Sequence, residues 1–307
     1  MMKKVIVTGG TGMLGSALIR LLISKQISVL VLVRPGTNRM DMIPVSEYVK
    51  VQECDVNHLL TLKGKIADDY DAFFHFAWGG THGGARDDVM LQNRNVQATL
   101  EAVELAHAAG CHTFLGAGSQ AEYGRVDGIP LSPDTPTNPE TGYGIGKLCA
   151  GSMSRILCRK YGMKHIWVRI LSTYGPGDGL HTMVMSGILQ MLKGERPQYT
   201  LGEQMWDYLY CDDAARAFYL AAEYGKDGAI YPVGSGKVRP LSEYICSIRD
   251  AIDPGIEIGF GEIPYYDKQV MYLCADIRTL TEDTGFEPEI SFEEGIRRTI
   301  AWVRGHS

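Results

Sequence analysis

Tyr143 and Lys147 stand four residues apart in Tyr143-Gly144-Ile145-Gly146-Lys147, which on a helix puts a phenol and an ammonium on one face. A free tyrosine, with a pKa of about 10, is a poor proton-transfer group at neutral pH. A neighbouring cation favours the phenolate, so this pair is suited to moving a proton to or from an oxygen. Ser119 follows the apolar run Thr113 to Gly118 and opens Gln120-Ala121-Glu122-Tyr123-Gly124, where its hydroxyl can hold the reacting oxygen. A Y-x-x-x-K pattern alone arises on many helices by chance; combined with a serine at a strand end it becomes a candidate acid–base site. His75, set mid-run among aromatics in Phe74-His75-Phe76, is read instead as a satisfied interior residue.

Those side chains need elements to hold them. Lys3 to Thr8 reads as a strand that runs into Gly9-Gly10-Thr11-Gly12-Met13-Leu14-Gly15 and then into an apolar, helix-period segment. Gly10, Gly12 and Gly15 fit G-x-G-x-x-G between a strand and a helix, the fingerprint of a dinucleotide site. A tight turn needs a residue that tolerates positive φ, and helix-start N–H groups hold the pyrophosphate. An oxidised nicotinamide nearby would favour the Tyr143 phenolate further. About twenty residues on, where a carboxylate would grip a ribose 2′-hydroxyl, the chain reads Val33-Arg34-Pro35-Gly36, with Arg39 nearby and no acid before Asp41. Arg34 suits a 2′-phosphate by charge and by its fork of donors, so NADP(H) is the favoured cofactor and NAD(H) the alternative. Asp55-Val56 follows the third strand and either contacts the adenine or caps the next turn.

Nearly continuous apolar runs at Ser28 to Val33, Tyr48 to Gln52, Ala72 to Ala77, Thr113 to Gly118 and His165 to Leu171 predict strands buried on both faces. Helical patterns at Met13 to Lys25, Asn93 to Ala109 and Tyr143 to Tyr161 alternate with them, which predicts a doubly wound α/β parallel sheet. After Gly175 prolines punctuate shorter elements. Residues 1–175 are therefore expected to form the dinucleotide-binding domain, with 210–235 returning to it, and 176–307 mainly a smaller mixed α/β substrate lobe. A formal charge of −6 over 307 residues argues against a nucleic-acid surface. No apolar stretch reaches a membrane span and the opening strand leaves no signal-peptide pattern. Seven scattered cysteines without C-x-x-C read as reduced thiols of a cytoplasmic protein, and no metal site is expected.

Taken together, these residues resemble the extended short-chain dehydrogenase/reductases, the NAD-dependent epimerase/dehydratase group that acts on nucleotide sugars and has a Rossmann fold. The resemblance runs through Thr8 to Gly15, Asp55-Val56, His75-Phe76-Ala77, Asn95, Ser119, Tyr123-Gly124, Tyr143/Lys147, Tyr174-Gly175-Pro176 and Gly202 to Asp213 to the tail ending near Trp302. It implies Tyr143 as catalytic acid or base, Lys147 as its tuner and ribose ligand, and Ser119 on the reacting oxygen. It further implies cofactor contacts from Gly9, Thr11, Gly12, Met13, Leu14, Gly15, Ala77 and Asn95, substrate contacts from Gln120, Ser172, His181 and Trp206, and a homodimer. The group's 4,6-dehydratases carry an Asp-Glu pair after the Ser/Thr position and its GDP-fucose synthase type a cysteine two residues on; here stand Gln120 and Ala121. Hydride transfer at a sugar carbon remains. Arg34 tips the expectation toward an NADPH-dependent reductase of a nucleotide-linked 4-keto-6-deoxy sugar; the alternatives are an NAD-dependent 4-epimerase and, third, a non-catalytic dinucleotide sensor. The arginine expected at Trp206 and a second near Pro264 to Asp267 are missing, with Arg196, Lys237 and Arg239 as possible replacements and Trp206, Tyr265 and Tyr266 as stacking or core residues.

Overall fold

A computed structural model describes residues 1–306 apart from Asp68 and Lys268. Its strands are β1 (Lys4–Thr8), β2 (Ser28–Val33), β3 (Val49–Glu53), β4 (Ala72–His75), β5 (Thr113–Ser119), β6 (Lys164–Ile170), β7 (Ser172–Tyr174), β8 (Gln198–Tyr199), β9 (Met205–Trp206), β10 (Tyr208–Tyr210), β11 (Ile230–Val233), β12 (Arg239–Pro240), β13 (Gly259–Phe260) and β14 (Tyr272–Leu273). Its helices are α1 (Met13–Ser24), α2 (Val89–Ala108), α3 (Gly142–Tyr161), α4 (Met183–Leu192), α5 (Cys211–Tyr224), α6 (Leu241–Ile252), α7 (Arg278–Thr284) and α8 (Phe292–His306).

The main sheet has seven parallel strands in the order β11-β6-β5-β4-β1-β2-β3. Alternate side chains of each inner strand feed opposite faces, so both faces need apolar cover. On one face Val5, Val7, Val31 and Phe74 join Leu18, Ile19 and Leu22 of α1 and Ala214 and Phe218 of α5. On the other, Ile6, Leu30, Phe73 and Phe114 pack with Ala102, Val103 and Ala106 of α2 and Cys158 of α3. Strand order reverses between β1 and β4. A crevice therefore opens beyond their carboxyl ends, where such sheets bind ligands.

Two expectations shift in detail and a third is met in the sheet pairing. β3 is an edge strand and is largely exposed rather than buried on both faces, since Lys50, Gln52 and Glu53 have no helix to cover them. α2 begins four residues before the periodic segment, because Asp88 accepts the Met90 and Leu91 N–H groups at 3.1 and 3.0 Å and starts the helix there. Tyr231 to Val233 does return to the main sheet, pairing with β6, while α5 packs on its face. The remaining short strands form β10-β7, β12-β9-β14 and β13-β8. Among the described residues no helix is long and apolar enough to cross a membrane.

Candidate active site

The turn after β1 is shaped by what its glycines lack. Gly9 has φ +74°, and a Cβ there would sit 2.7 Å from Ala77 N and 2.8 Å from the Phe76 carbonyl carbon. A Cβ on Gly15 would run into the Gly9 carbonyl oxygen and lie 2.8 Å from Gly10 Cα. The positive-φ glycine is thus Gly9, one residue before the first glycine of the expected fingerprint, and the working spacing is Gly9, Gly12, Gly15. Gly10 lets Val31 and Ile19 close over it. No side chain caps α1 at Gly12, and the first turn carries no acid. This close-approach turn on a free helix N-terminus fits the pyrophosphate of a dinucleotide.

A cavity of about 480 Å³ opens from that turn and is lined by Gly9, Gly12, Met13, Leu14 and Gly15 together with Ser119, Tyr143 and Lys147. Ser119 ends β5 and is buried. Its hydroxyl accepts Ala121 N–H at 3.2 Å, while its own N–H donates to Glu122 Oε1 at 2.9 Å. α3 starts at the cavity because Thr141 caps it, accepting Gly144 N–H at 3.1 Å. Tyr143 falls in the first turn and Lys147 one turn on, both facing inward. The Lys147 ammonium donates to Ala117 O at 2.6 Å, lies 3.8 Å from the Trp78 ring centre, and is 5.8 Å from that of Tyr143. Loss of its water shell pushes the Lys147 pKa down to about 7. Burial raises the Tyr143 phenol above the ordinary range, against the pull of the Ser119 hydroxyl and the Arg86 cation. The Arg86 guanidinium carbon lies 4.6 Å from the Tyr143 ring centre and the Lys147 ammonium 5.8 Å, so two cations face the ring and Arg86 is the nearer.

His181 is brought to the cavity, and its ring stacks on that of His82, centres 4.2 Å apart. The loops 79–88 and 177–185 thus meet across the opening. Ala77 packs beside Gly9, its N–H 3.4 Å from Thr8 Oγ1, and Thr11 sits half-buried in the glycine turn. Others are engaged elsewhere. Arg34 is exposed beyond β2 and does not line the cavity; Arg39 does, donating to Gly177 O at 2.8 Å. Asp55 caps the turn after β3, accepting Asn57 N–H at 2.9 Å, and Val56 packs on the α2/α3 core. Asn95 spends its amide on the Gly79 backbone, 3.0 Å to N and 2.9 Å to O, so it shapes the loop after β4 rather than lining the cavity. Gln120 begins a 3₁₀ turn off the cavity wall. Ser172 and Trp206 satisfy each other at 2.8 Å, and Trp206 packs within β12-β9-β14. Among the substitute cations, Arg196 pairs with Glu262 and Arg239 with Glu293, and neither they nor Lys237 line the cavity. Tyr265 bonds Glu203, and Tyr266 is exposed. His75 is the interior residue expected, between the Thr8 and Thr99 hydroxyls at 2.9 and 3.3 Å.

Four residues were missed. Trp78 meets the Tyr143 ring edge-on at 6.2 Å and bonds Gln92 at 2.8 Å. Arg86 covers the Tyr143 ring at 4.6 Å. Asp178 lines the cavity, bonded to Gly179 N and Thr182 Oγ1, with burial holding its carboxyl above the usual range. Glu122 is buried between Ser119 N, Trp167 Nε1 at 2.9 Å and Arg169 Nε at 2.7 Å. Only Glu122 had a local signal, the capping box Ser119-x-x-Glu122.

A parallel sheet with a dinucleotide-type turn and a serine, a tyrosine and a lysine in one cavity is the arrangement of a nucleotide-dependent oxidoreductase site. The family model described as "NAD dependent epimerase/dehydratase family" matches residues 5–234, and the chain belongs to that family of enzymes. A putative UDP-glucose 4-epimerase of Methanocaldococcus jannaschii is 27% identical, with 99% of each chain covered. A dTDP-glucose 4,6-dehydratase of Shigella flexneri is 24% identical over 97% of this chain and 92% of its own. Among solved structures, a UDP-N-acetylglucosamine 4-epimerase from Methanobrevibacter ruminantium, in complex with UDP-N-acetylmuramic acid, superposes with a TM-score of 0.89 at 23% identity over 99% of both chains.

Proposed function

We propose that the chain is an NAD-dependent nucleotide-sugar 4-epimerase. The observation that carries this reading is the composition of the site: on the cavity wall, groups for moving a proton and holding an oxygen beside a dinucleotide turn, and in the turn after Ser119, off that wall, two side chains at positions 120 and 121 that cannot ionise. Such a site can oxidise and re-reduce one carbon but lacks the acid–base pair that expels water from its neighbour. The full-length relative described as a putative UDP-glucose 4-epimerase supports the same chemistry.

In this reading Gly9, Gly12 and the first N–H groups of α1 hold the pyrophosphate, and Lys147 reaches the ribose. A nicotinamide held there would supply the acceptor and then the donor of a hydride at C4 of the sugar. Ser119 holds the C4 oxygen. The Tyr143 phenolate takes the hydroxyl proton as the carbonyl forms and gives it back as the alcohol is restored. His82 and His181 are proposed to lie against the sugar, since their two loops meet over the cavity.

A second reading, the NADPH-dependent 4-keto-sugar reductase, is favoured by the lack of any carboxylate between Val33 and Asp41. Its strongest support was Arg34, and that side chain lies off the cavity wall, with Arg39 on it. Two measurements separate the readings. Purified protein should release bound NAD on denaturation and interconvert a pair of UDP- or dTDP-hexoses without added cofactor. Arrival without cofactor, with NADPH consumed by a 4-keto sugar, would establish the reductase instead. Full function in Tyr143→Phe would sink both and leave a sensor.

A further inference from the structure

We infer that Arg86 is a positioning residue for Tyr143, its guanidinium laid on the phenol ring so that the ring is held at the cavity and its anion is favoured. The inference rests on the proposed role of Tyr143 as the proton-transfer group and adds a residue that no motif of the chain assigns.

The geometry is built rather than incidental. The Arg86 guanidinium carbon lies 4.6 Å from the Tyr143 ring centre, and the side chain is half-buried. Its Nη1 donates to Thr81 O at 3.1 Å, which fixes the arm across its own turn, Gly83–Asp87. That turn is pinned on two sides. Gln92 Nε2 donates to Gly80 O and Ala85 O, both at 3.0 Å, and Asp87 Oδ1 accepts Gly142 N–H at 2.9 Å, one residue before Tyr143. A Cβ on Gly142 would sit 3.0 Å from Arg86 O, so turn and helix start are in close contact. Among the described residues Arg86 enters no ion pair, and its charge is left to the ring. A guanidinium keeps its proton throughout the range in which the site would work and is weakly hydrated, which suits it to an aromatic face.

The groups facing the phenol from each packed element define what Arg86 has to offset. Ser119 of β5 shares the cavity wall with Tyr143 and opposes the rise in its pKa, and Trp78 of the loop after β4 meets the ring edge-on. Lys147 of the same helix points its ammonium to Ala117 O, and the Glu122 carboxylate, beyond Ser119, opposes ionisation. His82 and His181 share the cavity. Of these, Arg86 combines a permanent charge with direct ring contact.

The test reads Tyr143 itself. The ultraviolet phenolate titration of the full chain, taken as the difference from Tyr143→Phe, should move up by about one pH unit in Arg86→Gln, the scale on which a nearby opposite charge acts. Arg86→Lys, which keeps the charge, should restore most of the shift. Turnover of Arg86→Gln at neutral pH should fall about tenfold with KM little changed, and its pH–rate limb should move to higher pH by the same interval. An unmoved titration in Arg86→Gln overturns the inference, as does a Lys variant that shifts as far as the Gln variant. The titration needs no substrate. A shift without any epimerase turnover would uphold Arg86 and reject the reaction proposed above.

Discussion

His75 sits between two threonine hydroxyls under the cavity, with 3% of its surface exposed, and burial together with the Lys147 charge pushes its pKa down to about 3. The unfolded chain takes up a proton on this residue as the pH falls through about 6.5, whereas the folded chain does so only near 3. The contribution is complete above the unfolded value and is lost progressively on acidification, by up to about 2 kcal/mol at pH 5. His75→Gln should accordingly show a flatter decline of urea-unfolding stability between pH 6.5 and 5 than the parent chain. Parallel declines in the two proteins would assign the acid sensitivity elsewhere. At this scale legibility depended on whether contacts are local. Tyr143 and Lys147 share a helix face and Ser119 ends a strand, so spacing carried them. Arg86 and Tyr143 meet across more than fifty residues through a turn pinned by Gln92 and Asp87, and nothing in the spacing announces that contact.

The turn that joins β1 to α1 is where one missing atom matters most. Gly9 combines φ +74° with the Phe76–Ala77 backbone at its α-carbon, so Gly9→Ala brings both left-handed strain and collision with main-chain atoms that cannot swing aside. A loss of about 1–3 kcal/mol from the strained residue is expected, and the displaced turn should abolish the rise in Tm expected when NAD or NADPH is added to the parent chain. Retained thermal stabilisation by either dinucleotide would show that the site lies elsewhere. The alternation of strand and helix around this turn was readable because parallel strands covered on both faces are continuously apolar. β3 departs from that rule because an edge strand needs cover on fewer sides. Beyond Tyr174 the strands are mostly two or three residues long, too short to carry a period, and they are held by pairs such as Trp206–Ser172 that only the fold brings together.

At the scale of the whole molecule, the outer faces of α2 and α3 carry apolar side chains that none of the described residues covers fully. Ile145, Met153 and Ile156 are 55%, 43% and 66% exposed, and with Cys149 between them they recur at helical spacing along one side of α3. At the start of α2, Val89 and Met90 are each 65% exposed. Single exposed hydrophobes are ordinary, but a stripe along one helix is costly to leave in water and marks a surface for association. A two-fold pairing of the α2/α3 faces is proposed, because an isologous contact covers the stripe on both copies at once and leaves both cavities open. The parent chain should then sediment as a dimer at micromolar concentration, and Ile156→Glu, which sets two carboxylates near each other across the axis, should yield monomers. α3 also carries Tyr143 and Lys147 on its opposite side, so the same variant tests whether association steadies the cavity: a monomer with lowered turnover but an unchanged Tyr143 titration would place the effect in the positioning of the helix rather than in the chemistry of the phenol. A parent chain that sediments as a monomer at tens of micromolar would remove the stripe as an interface.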